Sequence, residues 1–232
     1  MALFYQPLVA KGVYKLDEEE SRHAQKVLRL KLGATIQLTD GLGRFYDVRL
    51  TNTESRQCEF EVLKSEPAPS RNYKIHVAIA PTKNTDRIEW FVEKAVELGI
   101  DKISFILCKN SERKSINLDR VEKKAISAMK QSRQAYLPVI QELKPFTQII
   151  AESDEEEKFI GFVDEQNPLL LKNLAKASTS YLVMIGPEGD FSAEEMRDAL
   201  QKGFVKVSLG PTRLRTETAG IAACHILNLI NS

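Results

Sequence analysis

Two segments late in the chain gather the residues whose types and spacing could do chemistry. In the first, YLVMIGPEGDFSAEE, the apolar run 181–185 leads into Gly186-Pro187-Glu188-Gly189, followed by Ser192 and, three residues on, Glu195. Glycines at such a turn allow close backbone approach to a ligand, and exposed N–H and C=O groups there can read a purine edge. Serine with glutamate three residues later is a capping-box signature, so a helix is expected directly after the turn. The second segment, VSLGPTRLRTETAGIAA, places Gly210-Pro211, Arg213, Arg215, Thr216, Glu217 and Thr218 before an almost wholly apolar helix. Three charged side chains within five positions can converge on one pocket; the alternative is a solvated first turn capped by Thr216 or Thr218. Each segment ends a strand and opens a helix, which is where open α/β sheets bind ligands. Neither matches G-x-G-x-x-G or G-x-x-x-x-G-K-[ST], so dinucleotide and P-loop binding are unsupported.

Other chemistries are poorly represented. His23, His76 and His225 show neither triad nor metal spacing, and Cys58, Cys108 and Cys224 form no C-x-x-C pair. No metal site is expected, and the thiols are expected to be free and mostly buried. The 232 residues carry 33 basic and 32 acidic side chains, so any nucleic-acid surface must be a local patch. No apolar run reaches the length of a membrane span, and the opening MALFYQPLVAKG lacks a basic n-region and a long apolar h-region, so a cytoplasmic protein without a membrane partner is expected.

The elements that must hold these turns divide at KSEPAPSRN, residues 64–72, where prolines, serines and mixed charges interrupt the apolar periodicity. Before that boundary, stretches 36–38, 45–50 and 58–63 alternate apolar and polar residues between turn signals at Asp40-Gly41 and Thr51-Asn52, as short antiparallel strands do. A helix over 21–33 is expected among them, with Ser21 as N-cap and Gly33 beyond its C-terminus. Residues 1–70 therefore read as a small β-barrel. From 73 to 232 the pattern becomes α/β, strands alternating with helices long enough for parallel crossovers. Strands are expected at 74–80, 103–108, 139–143, 159–163, 181–185 and 204–209, and helices at 85–98, 118–133, 146–151, 169–176, 193–202 and 215–230. In 85–98, Ile88, Phe91, Val92, Ala95 and Val96 form one apolar stripe, closed by Gly99.

Taken together, IGPEGDFS, LGPTRLRTETA, EKAVELGI at 93–100, SERKS at 111–115 and SRHAQKVLRLKLG near the start resemble the RsmE family of 16S ribosomal RNA uridine-N3 methyltransferases. The resemblance covers nearly the whole chain. It implies a SPOUT-type α/β domain with a C-terminal trefoil knot, preceded by a PUA-like β-barrel that binds RNA. It also implies S-adenosyl-L-methionine as donor, a homodimer, and 16S rRNA in the small ribosomal subunit as substrate. Carried onto this chain, the donor site comprises Phe162, Ile185, Gly186, Glu188, Gly189, Leu209, Gly210, Leu214, Arg215, Thr216, Thr218 and Ala219. Asp190 stands where the family usually has a third glycine, and TRLR replaces RILR, so either Arg213 or Arg215 fills the family's arginine role. A related SPOUT enzyme for another RNA or base atom, or a noncatalytic assembly factor, are the alternatives.

Uridine N3 carries a proton that must leave before or during attack, so a base or an anion-stabilising group is expected. Arg215 with Glu217 is the favoured catalytic pair; Glu188 is the other nearby carboxylate, and Glu217 could instead pair with an arginine simply to hold the loop. For RNA, Arg22, Lys26 and Arg29 are expected to form a basic stripe on the first helix, opposite Ala24, Val27 and Leu28, with Arg113, Lys114 and Arg133 as a second surface.

Overall fold

The computed structural model describes residues 2–162 and 169–232. The chain divides into two compact units, Met1–Ser70 with Ile126–Leu137, and Arg71–Ala125 with Pro138–Ser232.

The first unit is built on a four-stranded sheet of β1 (Leu3–Tyr5), β2 (Thr35–Thr39), β3 (Arg44–Asn52) and β4 (Glu59–Pro67), in that order. β1 pairs parallel to β2, and the other pairs are antiparallel. Asp40 shapes the β2–β3 hairpin, its Oδ1 accepting from the N–H groups of Leu42 and Arg44 at 2.8 and 3.1 Å, an Asx-type turn. Phe4, Leu16, Leu38, Val48 and Leu50 are buried beneath the sheet. β1 is too short to show alternation in sequence, and β4 runs on to Pro67, into the stretch read as a boundary.

The expected helix over 21–33 is corrected. α1 spans Glu18–Arg22, capped by Asp17, whose carboxylate accepts from Glu20 N at 2.7 Å. An aspartate followed by Glu18, Glu19 and Glu20 complements the positive helix N-terminus better than Ser21 does. Ser21 lies inside the helix, fully buried, and its Oγ accepts from Cys58 N at 2.9 Å. A single π-turn, His23–Val27, follows, and Arg29 with φ of 52° ends the run. The basic residues therefore form no α-helical stripe, although Arg22, Lys26 and Arg29 are all exposed. Val27 and Leu28, expected to face inward, are 65% and 38% exposed.

The second unit carries a six-stranded, wholly parallel sheet in the order β10-β8-β9-β5-β6-β7, with β5 (Lys74–Ile79), β6 (Lys102–Leu107), β7 (Val139–Pro145), β8 (Glu157–Gly161), β9 (Ser180–Ile185) and β10 (Val205–Val207). β10 is shorter than the expected strand, and the last residue of the expected strand 159–163 lies outside the described residues. The helices are α2 (Thr85–Glu97), α3 (Leu118–Gln131), which supplies residues to both units, α4 (Phe146–Glu152), α5 (Leu171–Leu174), α6 (Ala193–Gln201) and α7 (Thr216–Ile230).

α2 begins where the Asn84 side chain accepts from Asp86 N, and it buries Ile88, Phe91, Val92, Ala95 and Val96, the stripe expected. α7 packs against it so closely that a Cβ on Gly220 would lie 2.5 Å from the Phe91 ring. On the opposite face, Phe146, Ile149, Phe191, Ala199 and Phe204 cluster with Ala78, Ile106 and Met184 of the sheet. Burying each such large apolar side chain contributes about 1.5–3 kcal/mol, so both layers hold the strand ends firmly in place.

Candidate active site

Because β8, β9 and β10 are neighbouring parallel strands, the segments that leave them emerge at one edge of the sheet. Between those segments lies a cavity of about 350 Å³, within the size range of small-molecule sites. Of the expected donor residues, Phe162, Ile185, Gly186, Glu188, Leu209, Gly210, Leu214, Arg215, Thr216 and Ala219 line it; Gly189 and Thr218 do not. Gly161, Pro187, Asp190, Ser208, Thr212 and Arg213 complete the wall. Of these, only Arg213 had a chemical role in the sequence reading.

The two turns are tied to each other directly. Thr216 Oγ1 donates to the Gly186 carbonyl at 3.1 Å, joining the start of α7 to the end of β9. Ser208 Oγ donates to the Gly210 carbonyl at 2.8 Å, and Gly210 takes φ of +153°, a conformation that side chains rarely adopt. After β9, Asp190 N donates to the Pro187 carbonyl, closing a tight turn. Asp190 sits at φ of 61°, a left-handed conformation that glycine takes at least cost. Aspartate tolerates that conformation, and its Oδ1 accepts from Phe191 N at 2.8 Å. Ser192 and Glu195 form the expected capping box at the start of α6.

Gly189 has a different reason to be glycine. A Cβ there would point at the Asn110 side chain, 3.1 Å from its Cβ, so bulk at 189 would press on the neighbouring loop rather than fill the cavity.

The charged residues separate. Arg213 and Arg215 are exposed on the cavity wall, Arg215 at the N-cap of α7. Glu188 is also on the wall, its Oε1 accepting from Lys83 N at 3.3 Å. Glu217 is buried, is not on the wall, and lies 3.9 Å from Arg87 Nε. Arg87, invisible as a partner from spacing, thus gives Glu217 the loop-holding contact weighed above. Arg113 Nε and Nη2 donate to the carbonyls of Thr82 and Lys83, while Lys114 is exposed. Arg133, also exposed, donates to Gln37 Oε1 at 3.1 Å.

Nucleophilic thiol chemistry has no support. Cys58, Cys108 and Cys224 are free and buried. Burial, reinforced by Glu195, pushes the Cys108 thiol up, and burial pushes Cys224 up to about 12. Among the described residues no group of His, Cys, Asp and Glu could hold a metal ion.

His76 takes part in a buried hydrogen-bond chain that spacing did not show. His76 Nδ1 lies 2.6 Å from Glu155 Oε1, and its Nε2 lies 2.7 Å from Ser104 Oγ. With Ser104 completely buried and His76 5% exposed, this chain of hydrogen bonds braces the sheet interior.

Fold and cavity together define an α/β enzyme that binds a small ligand at the exits of parallel strands, joined to a small β-unit. A model of an RNA methyltransferase domain matches residues 69–228, and one of an RNA methyltransferase PUA domain matches residues 16–63. The chain belongs to this RNA methyltransferase family. The crystal structure of a probable rRNA-methyltransferase from Porphyromonas gingivalis is similar over 100% of this chain and 98% of that one, with a TM-score of 0.94 and 40% identity. A ribosomal RNA small subunit methyltransferase E from Neisseria gonorrhoeae, bound to S-adenosyl methionine, covers 100% of this chain and 98% of its own, with a TM-score of 0.86 and 27% identity. Among curated relatives, ribosomal RNA small subunit methyltransferase E of Rickettsia conorii is 26% identical over 218 residues, 90% of this chain and 86% of that protein.

Proposed function

We propose that this protein uses S-adenosyl-L-methionine to methylate N3 of one uridine in 16S rRNA, acting on the small ribosomal subunit in the cytoplasm. The observation that carries this reading is the cavity between the exits of β8, β9 and β10, in a chain whose fold matches a structure bound to S-adenosyl methionine. The cavity suits that ligand. Its wall combines turn backbone at residues 185–188 and 208–210 with the apolar side chains of Ile185, Leu209, Leu214 and Ala219, as an adenine needs. Gly210 supplies a backbone conformation that brings the main chain to the wall without strain.

The bound donor supplies an electrophilic methyl group on a sulfonium. What the protein contributes is alignment and electrostatics, since holding reacting groups in line accounts for a large part of such a barrier. Of the expected pair, Arg215 is the proposed catalytic residue and Glu217 a positioning residue. Arg215, on the cavity wall, stabilises the anion left when uracil N3 loses its proton. Glu217, held near Arg87, supports the start of α7, while Glu188 is the carboxylate on the wall itself. The target base must be unpaired to present N3. Exposed Arg22, Lys26 and Arg29 in the PUA-like unit, with Lys114 and Arg133, contact phosphate. A trefoil knot formed by the C-terminal segments and a homodimer complete the proposal, as the family resemblance implies.

The test is incubation with labelled S-adenosyl-L-methionine and small subunits from a strain lacking this modification, followed by nucleoside mapping. N3-methyluridine at a single position is expected. Labelled small subunits carrying a different methylated nucleoside, or none, would overturn the assignment.

A further inference from the structure

Arg113 of the SERKS loop, expected to touch RNA, makes its contacts within the protein, as does Asn110 just before that loop. Asn110 Nδ2 donates to the carbonyls of both Gly189 and Asp190, each at 3.1 Å. One residue earlier, Lys109 N donates to Glu195 Oε1 at 2.8 Å, reaching the capping box of α6. Ser111 Oγ accepts from Cys108 N at 3.0 Å, which closes the loop on itself. The Arg113 guanidinium makes three hydrogen bonds, at 3.1 Å to the Thr82 carbonyl and at 3.2 and 2.7 Å to the Lys83 carbonyl. Lys83 N in turn donates to Glu188 Oε1. The turn after β9 is thus held by Asn110 directly and by Lys83, on which Arg113 is anchored.

The fit is steric as well as polar. Gly189 approaches Asn110 so closely that a methyl group at 189 would force one of them to yield. We infer that residues 108–113 are a clamp for the turn at residues 186–190, with Asn110 its main positioning residue and Arg113 bracing it through Lys83 instead of binding RNA. By fixing the carbonyls of Gly189 and Asp190, the clamp sets the path of the backbone through Gly186, Pro187 and Glu188 on the cavity wall. A turn whose geometry is preformed loses less freedom when ligand binds.

This inference rests on reading the cavity as the donor site, and the experiment separates the two. S-adenosylhomocysteine is titrated calorimetrically into the full-length wild type and into Asn110→Ala, Asn110→Asp and Arg113→Gln variants. Failure of the wild type to bind refutes the donor-site reading. Given wild-type binding, Asn110→Ala is expected to weaken affinity about tenfold, the scale of one to two net hydrogen bonds. Asn110→Asp keeps the side-chain shape but sets acceptors against two carbonyls, so it should lose at least as much. Asn110 is exposed, so neither change opens a core cavity. In turnover assays the donor KM should rise while kcat at saturating donor and the KM for small subunits stay constant. Arg113→Gln should weaken donor binding with small-subunit affinity intact. Wild-type donor affinity in Asn110→Asp, a fall in kcat without a change in donor KM, or loss of small-subunit binding alone in Arg113→Gln would each overturn the clamp.

Discussion

Gly220→Ala tests how tightly α7 is locked against α2 and the sheet. The added Cβ would stand 2.5 and 2.8 Å from two carbons of the Phe91 ring and 3.1 Å from Ile79 Cδ1. Non-bonded carbons prefer about 3.5–4.0 Å, so the ring must retreat by about 1 Å. Phe91 and Ile79 are both fully buried, which leaves little room for that retreat. Overpacking of this kind costs about 1–3 kcal/mol, and alanine in place of a helical glycine returns about 1 kcal/mol. With both neighbours fully buried the upper half of that overpacking range applies, which leaves a net loss of about 1–2 kcal/mol, read as a lower urea midpoint with an unchanged slope. Phe91→Leu shortens the opposing side chain, so the double variant should be less destabilised than the sum of the two single changes. Because α7 also carries Thr216 and Ala219 on the cavity wall, affinity for S-adenosylhomocysteine should fall with stability. If Gly220→Ala matches or exceeds the wild type in stability, the helix–helix contact is looser than argued and the reasoning fails.

Thr216→Val removes the hydroxyl that donates to Gly186; it should lower stability by about 1 kcal/mol in thermal melts and weaken donor binding, with Thr216→Ser restoring both. Lys130→Met strands the buried Glu20, whose Oε2 already has no partner. Burial outweighs Lys130 in raising the Glu20 carboxyl pKa, so the variant should lose about 3 kcal/mol in urea unfolding. Glu20→Gln in that background should recover much of the loss, and no recovery would count against an unpaired charge. Acid should destabilise the second unit through His76 and Glu155. Burial lowers the His76 pKa below its unfolded value, despite Glu155, so its neutral form is favoured and stability falls as pH drops through about 6.5. Burial opposes Glu155 ionisation, but the hydrogen bond and charge of His76 hold its carboxyl down at about 2, a contribution lost as pH falls from its ordinary range toward that value. The melting temperature should therefore decline with acidification, less steeply near pH 6 in His76→Gln; identical profiles would remove His76 from the account.

The cavity turns were legible because each is encoded locally. Gly186, Gly210 and the Ser192–Glu195 pair announce a strand exit and a helix entrance within a dozen residues, and most of the expected donor residues do line one cavity. What sequence could not show was contact between distant segments. Asn110 against Gly189, Lys83 against Glu188 and Arg87 against Glu217 depend on which strands become neighbours, and spacing carries no trace of that. The first helix failed for a local reason, because Asp17 and three following glutamates outcompete Ser21 as a start. Val27 then fell at the end of a π-turn and Leu28 just beyond it, where a 3.6-residue period no longer predicts which face is buried.

The sheet order has a bearing on the moment at which binding competence arises during translation. β5, β6 and β7 are made first and occupy one flank, whereas every residue of the cavity wall falls between positions 161 and 219. A nascent chain halted soon after β9 could complete the central pairing of β5 with β9, yet it would lack the Gly210 turn and the Thr216 tether. Such an intermediate would hold a folded scaffold with an open flank and no grip on ligand, so ligand can stabilise the chain only once it has been extended past Ala219.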